Sequence, residues 1–307
     1  MLNKKLIIDF SQRLPGPLAG KILADLGFEV VKLEDEHHKD SFLSTRFGDF
    51  DPTFETWYQE LNKKKRIHRF DFKDESAKNI IKEYLSKASG LILSCGDKLA
   101  TRLGITDEEL QKKFPHLSVV KLEASQTHFK NMHDLNAMAM TDVFHLHLEN
   151  ETKNIVDPPF LPFAGIGFGQ QVATTLLSGI IKSGLSGKCE IQTCYLFESI
   201  NEIYKCFWPE SLQTMKKTKF LHNGAYPCYS IYKTKDSAHV AVAAVEEKFW
   251  TDLSTLYSIP LSPENRFDTH PESFNKVSQV FLSMTSHEIE AKLGGKDLCL
   301  SIVRPMA

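Results

Sequence analysis

Between Leu6 and Leu122 short aliphatic runs alternate with stretches whose apolar residues recur at helical spacing, and that alternation narrows the fold more than any other feature of the chain. Leu6-Ile7-Ile8-Asp9-Phe10 reads as a strand. Pro15-Gly16-Pro17 then opens a helix carrying Leu18, Ile22, Leu23 and Leu26, Gly27 stops it, and Glu29-Val30-Val31-Lys32-Leu33-Glu34 is the next strand. A helix from Glu75 to Lys87, a strand at Leu91-Ile92-Leu93, a helix from Asp107 to Phe114 and a strand from Leu117 to Leu122 continue the rhythm. Strands and helices in turn specify a parallel sheet covered by helices, an α/β Rossmann-like domain.

Beyond Glu123 the pattern changes. A polar, histidine-rich stretch (128–154) leads through Asp157-Pro158-Pro159 to a helical run from Ala164 to Lys182 broken by Gly165, Gly167, Gly169 and Gly179. Such glycines imply close helix packing or a backbone held near a ligand. A strand from Cys189 to Cys194, a helix from Leu196 to about Leu212, strands at Cys228 to Lys233 and His239 to Ala244, and two or three late helices follow. The length of 307 residues suits two domains at ~150 residues each. The division is expected at residues 1–190 for the large domain and 191–307 for a smaller α+β domain.

Charge and composition remove several classes of function. With 37 Lys+Arg against 39 Asp+Glu the net charge is -2, so no broad basic field attracts nucleic acid. No apolar stretch approaches the ~18 residues of a membrane span, and the N-terminal apolar run is too short for a signal-peptide core. The six cysteines form no CxxC pair and have no histidine spacing typical of a metal site. They read as free thiols, the expected location is the cytoplasm, and neither a metal nor a tightly bound cofactor is expected. A dinucleotide-binding oxidoreductase shares the opening alternation, but Arg13-Leu14-Pro15-Gly16-Pro17 stands where its GxGxxG loop belongs.

The segment from Arg13 to Glu34, with Asp25-Leu26-Gly27 and Glu29-Val30-Val31-Lys32 at its end, resembles the opening of the family III CoA-transferases and α-methylacyl-CoA racemases. Leu61-Asn62-Lys63-Lys64-Lys65-Arg66, Arg102-Leu103-Gly104-Ile105, Gly184 through Lys188, and Asn223-Gly224-Ala225 leading to Phe249-Trp250 match in the same order, so the resemblance covers nearly the whole chain. It implies a Rossmann-like large domain joined to a smaller α+β domain in an interlocked dimer. The implied substrate is a coenzyme A thioester, and the implied assembly a homodimer or a heterodimer with a family member that carries the family's aspartate. Members are also longer, with a C-terminal return into the first domain that is expected to be missing here.

Several site residues come with the resemblance. His133-Asp134-Leu135-Asn136 matches a helix start whose histidine is a proton-transfer group in racemases, with Asp134 capping the helix or orienting the ring. Read without the family, the pair is an ordinary helix N-terminus. Glu246 matches a carboxylate beside that histidine and is equally an acid favoured by a helix dipole. Lys63, Lys64, Lys65 and Arg66, with Arg102, are the candidates for the nucleotide phosphates; the basic run reads equally well as a solvated loop.

The departures matter as much. Pro162 stands where the family carries the aspartate that forms the covalent anhydride in transferases and serves as the second base in racemases. Proline can be neither nucleophile nor base. Asp157 is the nearest carboxylate, five residues upstream in a Pro-rich loop. Asp35 and Gly96 occupy the places of two phosphate-binding arginines, and Glu123-Ala124-Ser125-Gln126 replaces a glycine-containing loop that approaches the thioester. Two readings stay open: a thioester enzyme in which His133 exchanges the α-proton while backbone donors near Gly165 hold the enolate, or a non-catalytic partner subunit or CoA-ester-binding protein.

Overall fold

The computed structural model describes residues 5–43, 49–148, 152–216 and 218–304. The chain forms two compact units, Met1–Glu210 and Ser211–Ala307. The first runs β1 (Leu6–Phe10), α1 (Pro15–Asp25), β2 (Glu29–Asp35), α2 (Thr53–Asn62), β3 (Arg66–Phe70), α3 (Ala77–Lys87) and β4 (Ala88–Leu93). It continues with α4 (Asp97–Leu103), α5 (Asp107–Lys113), β5 (Ser118–Glu123), α6 (Asp134–Ala139), α7 (His145–Leu148), α8 (Phe163–Ser186), β6 (Glu190–Tyr195) and α9 (Leu196–Phe207), and α10 (Glu210–Thr214) follows. Six parallel strands take the order β3-β2-β1-β4-β5-β6, the strand order of a doubly wound nucleotide-binding sheet.

The sheet is covered on both faces. One layer packs Ile81 and Leu85 of α3 and Leu110 of α5 against Ile8, Val31, Leu91 and Val119; the other sets Ala19 and Leu23 of α1 and Phe168, Val172 and Leu176 of α8 against Ile7, Val30, Ile92 and Val120. Two helices come unusually close: a Cβ on Gly169 of α8 would lie 2.9 Å from the Pro15 carbonyl oxygen of α1, and one on Gly165 would lie 2.7 Å from Leu14 Cδ2. Close packing, one of the two roles the sequence allowed these glycines, is present at both positions.

Beneath α1 lies a group of buried charges. Asp9, Lys32, Glu34, Asp40 and Lys65 are each no more than 9% exposed. Lys65 Nζ donates to Asp9 Oδ2 (2.7 Å), the Pro17 carbonyl (2.7 Å) and Asn62 Oδ1 (2.9 Å). Lys32 Nζ donates to the Ser11 carbonyl at 2.5 Å and lies 3.2 Å from Asp40 Oδ2. A Cβ on Gly20 would meet Asp9 Oδ2 at 2.8 Å and Lys65 Nζ at 2.9 Å, so the helix rides directly on this ion pair. Burial alone would raise the Asp9 carboxyl, but the charges of Lys65 and Lys32 and the hydrogen bonds from Lys65 and Ser11 hold it below its ordinary 3.8.

The second unit holds an antiparallel sheet in the order β7-β8-β9, made of Tyr229–Lys233, His239–Ala243 and Leu300–Val303. Its helices are α11 (Glu247–Tyr257), α12 (Pro271–Leu282) and α13 (Ser286–Leu293). Trp250, Tyr257 and Phe281 fill its core, with Trp250 Nε1 donating to the Leu261 carbonyl and the Tyr257 hydroxyl to that of Ile289.

Two expectations are corrected. The boundary after residue 190 moves, because β6 pairs with β5 along Ser118 to Glu123 and the first unit continues to Glu210. The run Lys63 to Arg66 is not one solvated loop either. Arg66 begins β3 and pairs with Glu29 at 3.2 Å, Lys63 and Lys64 are exposed beside Glu60 and Asp25, and Lys65 turns inward.

Removing one partner of a buried ion pair leaves an uncompensated charge. Lys65→Met should therefore lower unfolding free energy in urea by about 3–5 kcal/mol, whereas Lys64→Met should leave the midpoint nearly unchanged. Because the folded state holds Asp9 below 3.8, the unfolded chain takes up this proton first. The Asp9 contribution is thus intact above about pH 4 and lost as the pH falls through the lower folded value, which urea midpoints along an acid series will register.

Candidate functional site

The C-terminal edge of the parallel sheet, where open α/β sheets take their ligands, is elaborated by α6, the start of α8 and the outer face of α9. Asn136 Oδ1 accepts the His133 backbone N–H at 3.2 Å and so fixes the first turn of α6. The His133 side chain is exposed. Asp134, half-buried, reaches across to α8, where its Oδ1 accepts the Gly165 N–H at 2.6 Å. Pro162, at the N-cap of α8, offers no side-chain acceptor. An acid from α6 therefore performs the capping role, facing the positive end of a 24-residue helix dipole.

Burial pushes the Asp134 carboxyl up, against the downward pull of the Gly165 and Ala164 N–H groups. Tyr204 of α9 lies within reach of the same charge. Burial first, and then the Asp134 charge, push its phenol up, so Tyr204 keeps its proton at neutral pH. The expected enolate donor is corrected by this geometry: the Gly165 N–H is already committed to Asp134, and the Ile166 N–H donates to the Pro162 carbonyl at 3.0 Å.

Beside this junction opens a pocket of about 500 Å³. Met138, Val143, Phe144, Pro159, Phe163 and Tyr204 give it mainly apolar walls, with His147 and Asp157 at its polar margin. The pocket and Tyr204 were not legible in the sequence as a site; the only signal was the helical spacing of Ile200, Ile203, Tyr204 and Phe207.

The other expected residues lie on other elements. Glu246 is exposed at the N-cap of α11, in the second unit. Arg102 is exposed in the last turn of α4. Asp35 accepts the N–H groups of His37, His38 and Phe72, a loop-shaping role in place of an arginine's phosphate contact. Glu36, His37 and Asp71 bring potential metal-ligating atoms within 4.8 Å of one another, with His37 Nε2 at 3.4 Å from Glu36 Oε1 and 3.5 Å from Asp71 Oδ2.

Fold and site together define a Rossmann-like α/β protein with a mainly apolar pocket lined by residues of α6, the start of α8 and α9. The CoA-transferase family III model matches residues 2–307, and the chain belongs to that family. It is 24% identical to mouse alpha-methylacyl-CoA racemase over 97% of this chain and 76% of that protein. It is also 24% identical to human succinyl-CoA:glutarate CoA-transferase, over 96% of this chain and 68% of the other. A CaiB/BaiF family protein from Brucella suis shares the fold, with a TM-score of 0.76 at 18% identity over 98% of this chain and 83% of that one. Among the described residues no helix is long and apolar enough to cross a membrane.

The capping geometry sets an expected outcome. Asp134→Ala should cost about 1–2 kcal/mol in urea unfolding at neutral pH by leaving the start of α8 uncapped; Asp134→Asn, which keeps the acceptor, should cost less. Burial makes the folded state bind the Asp134 proton more tightly than the unfolded state. The increment of stability linked to that proton is full below the ordinary 3.8 and lost as pH rises through the folded value, leaving the capping hydrogen bond itself; the Asn variant should lack this dependence.

Proposed function

We propose that the protein binds an acyl-CoA thioester with its acyl group in the apolar pocket and exchanges the α-proton through His133, as a one-carboxylate-short counterpart of the α-methylacyl-CoA racemases. The carrying observation is the Asp134–Gly165 hydrogen bond, which holds the histidine-bearing start of α6 against the turn that begins at Pro162. Covalent acyl transfer through residue 162 is removed, since proline offers no nucleophile. His133, exposed at the helix start, takes the α-proton, and the protonated Tyr204 is the neutral donor at the pocket for the thioester oxygen. Arg102 with the exposed Lys63, Lys64 and Arg66 serves the nucleotide phosphates. Lys65, buried on Asp9, is committed to the fold. The protein works as a dimer, either with itself or with a family member that carries the aspartate.

Pro162 favours a second reading, a CoA-ester-binding or partner subunit without turnover. The two separate in one experiment. The protein is incubated with a 2-methylacyl-CoA in deuterated water, and α-proton loss is followed by NMR alongside His133→Ala. Exchange that falls at least about 10²-fold in the variant supports the proton-transfer reading. Calorimetric binding of the thioester without exchange supports the binding subunit, and absence of both removes the acyl-CoA assignment.

A further inference from the structure

The turn after β5 carries a second imidazole, and its surroundings are more ordered than a surface loop requires. Residues 124–128 leave the C-terminal end of β5 and are tied to the first turn of α9. The Phe197 N–H donates to the Ala124 carbonyl at 3.1 Å. Glu198 Oε1 accepts from Ser125 Oγ (2.7 Å), the amides of Gln126 and Thr127 (both 3.1 Å) and Thr127 Oγ1 (2.8 Å). Ser125 Oγ in turn accepts the amides of Thr127 (3.2 Å) and His128 (3.0 Å). The His128 ring stands edge-on to Phe197 with centroids 4.7 Å apart, and its Nδ1 lies 2.7 Å from Thr127 Oγ1.

This arrangement fixes where the ring's hydrogen sits. Burial acts to raise the Glu198 carboxyl, but hydrogen bonds from Ser125 and Thr127 hold it below the usual range, so it is an ionised acceptor. A hydroxyl has a single hydrogen, and that of Thr127 points at Glu198. Thr127 Oγ1 can therefore meet Nδ1 only as an acceptor, which places the hydrogen of the neutral ring on Nδ1 and a lone pair on Nε2. That is the tautomer a general base requires, held by a Glu198–Thr127–His128 relay on an exposed turn.

We propose that His128 is a second proton-transfer residue of this chain, its Nε2 accepting the α-proton of the bound thioester, with Thr127 and Glu198 as positioning residues. In the step the α-C–H bond breaks, the Nε2–H bond forms, and the released electron pair passes onto the thioester carbonyl as an enolate. Return of a proton to carbon reverses it without any redox partner. The inference rests on the reading of the site as one for acyl thioesters. It is connected to that site by α9, which carries Glu198 in its first turn and Tyr204 at the pocket six residues on, about 9 Å along the axis.

Ring-nitrogen NMR of the whole protein, at alkaline pH where imidazoles are neutral, reads the tautomer directly. His128 is expected as the Nδ1–H form, shifting toward Nε2–H in Thr127→Val and keeping its wild-type state in Thr127→Ser. In the deuterium-exchange assay with 2-methylacyl-CoA, His128→Gln should lower kcat by about 10²-fold or more at little change in KM, with thermal unfolding unaltered. An Nε2–H ring in the unaltered protein overturns the proposal. So does wild-type exchange in His128→Gln when His133→Ala has lost it, an outcome that leaves the reading of the site standing. A protein that binds the thioester without any exchange overturns both.

Discussion

The ion pair between Lys65 and Asp9 underlies the arrangement of β1, α1 and the turn into β3 in the large unit. A charge taken out of water at this depth is tolerated only when its partners are complete, and here they are drawn from places well separated along the chain. Lys65, at the turn between α2 and β3, also binds the Pro17 carbonyl at the start of α1 and the Asn62 side chain at the end of α2. Lys32 from β2 binds the Ser11 carbonyl after β1 and sits beside Asp40, whose carboxylate also accepts the N–H groups of Arg13 and Phe42. The same few atoms thereby fix the loop after β1, the entry to α1 and the loop after β2. Gly16 and Gly20 follow from this: a side chain at either would strike Ser11 or the ion pair itself.

The second framework is built on α8. Its glycines let it lie against α1, and its first turn is held by Asp134 from α6, so the three elements around the pocket share one fixed junction. Nothing in this junction depends on residue 162 having a functional side chain. Residue 162 can be proline without loss of the helix start, because the acceptor for the first N–H groups comes from Asp134. Retained architecture and altered chemistry are compatible here for that physical reason.

The sequence displayed the elements whose burial follows a simple period. β1, α1, β2, β4, β5 and the glycine-broken α8 all lay within a few residues of their expected bounds, since their apolar spacing reports directly on a covered sheet. The turn from α2 into β3 was hidden because Lys65 is a lysine, and hydropathy assigns lysines to water whether or not an aspartate waits inside. β6 was assigned to the wrong unit because a strand's own residues say little about its neighbour, which lies across the long crossover through α8. The site divided in the same way. His133 and Asp134 could be marked from the family resemblance, yet Asp134's partner is 31 residues away, and the pocket walls are assembled from segments between Met138 and Tyr204. His128 passed unnoticed for a related reason: its distinction lies in a carboxylate from a helix 70 positions later in the chain, Glu198.

Helix α9 acts as a ruler. Its N-terminal end grips the turn that bears His128, and its middle supplies Tyr204 to the pocket, so the spacing between the anchor of that turn and the pocket is set by helical rise and not by a loop. Loops of varied length lengthen or shorten such intervals gradually, whereas a helix changes them only in whole residues, each with a turn of about 100°. The interval from the His128 turn to the pocket is thus quantised in this protein. A change in pocket size would proceed through the pocket walls and leave the interval itself untouched.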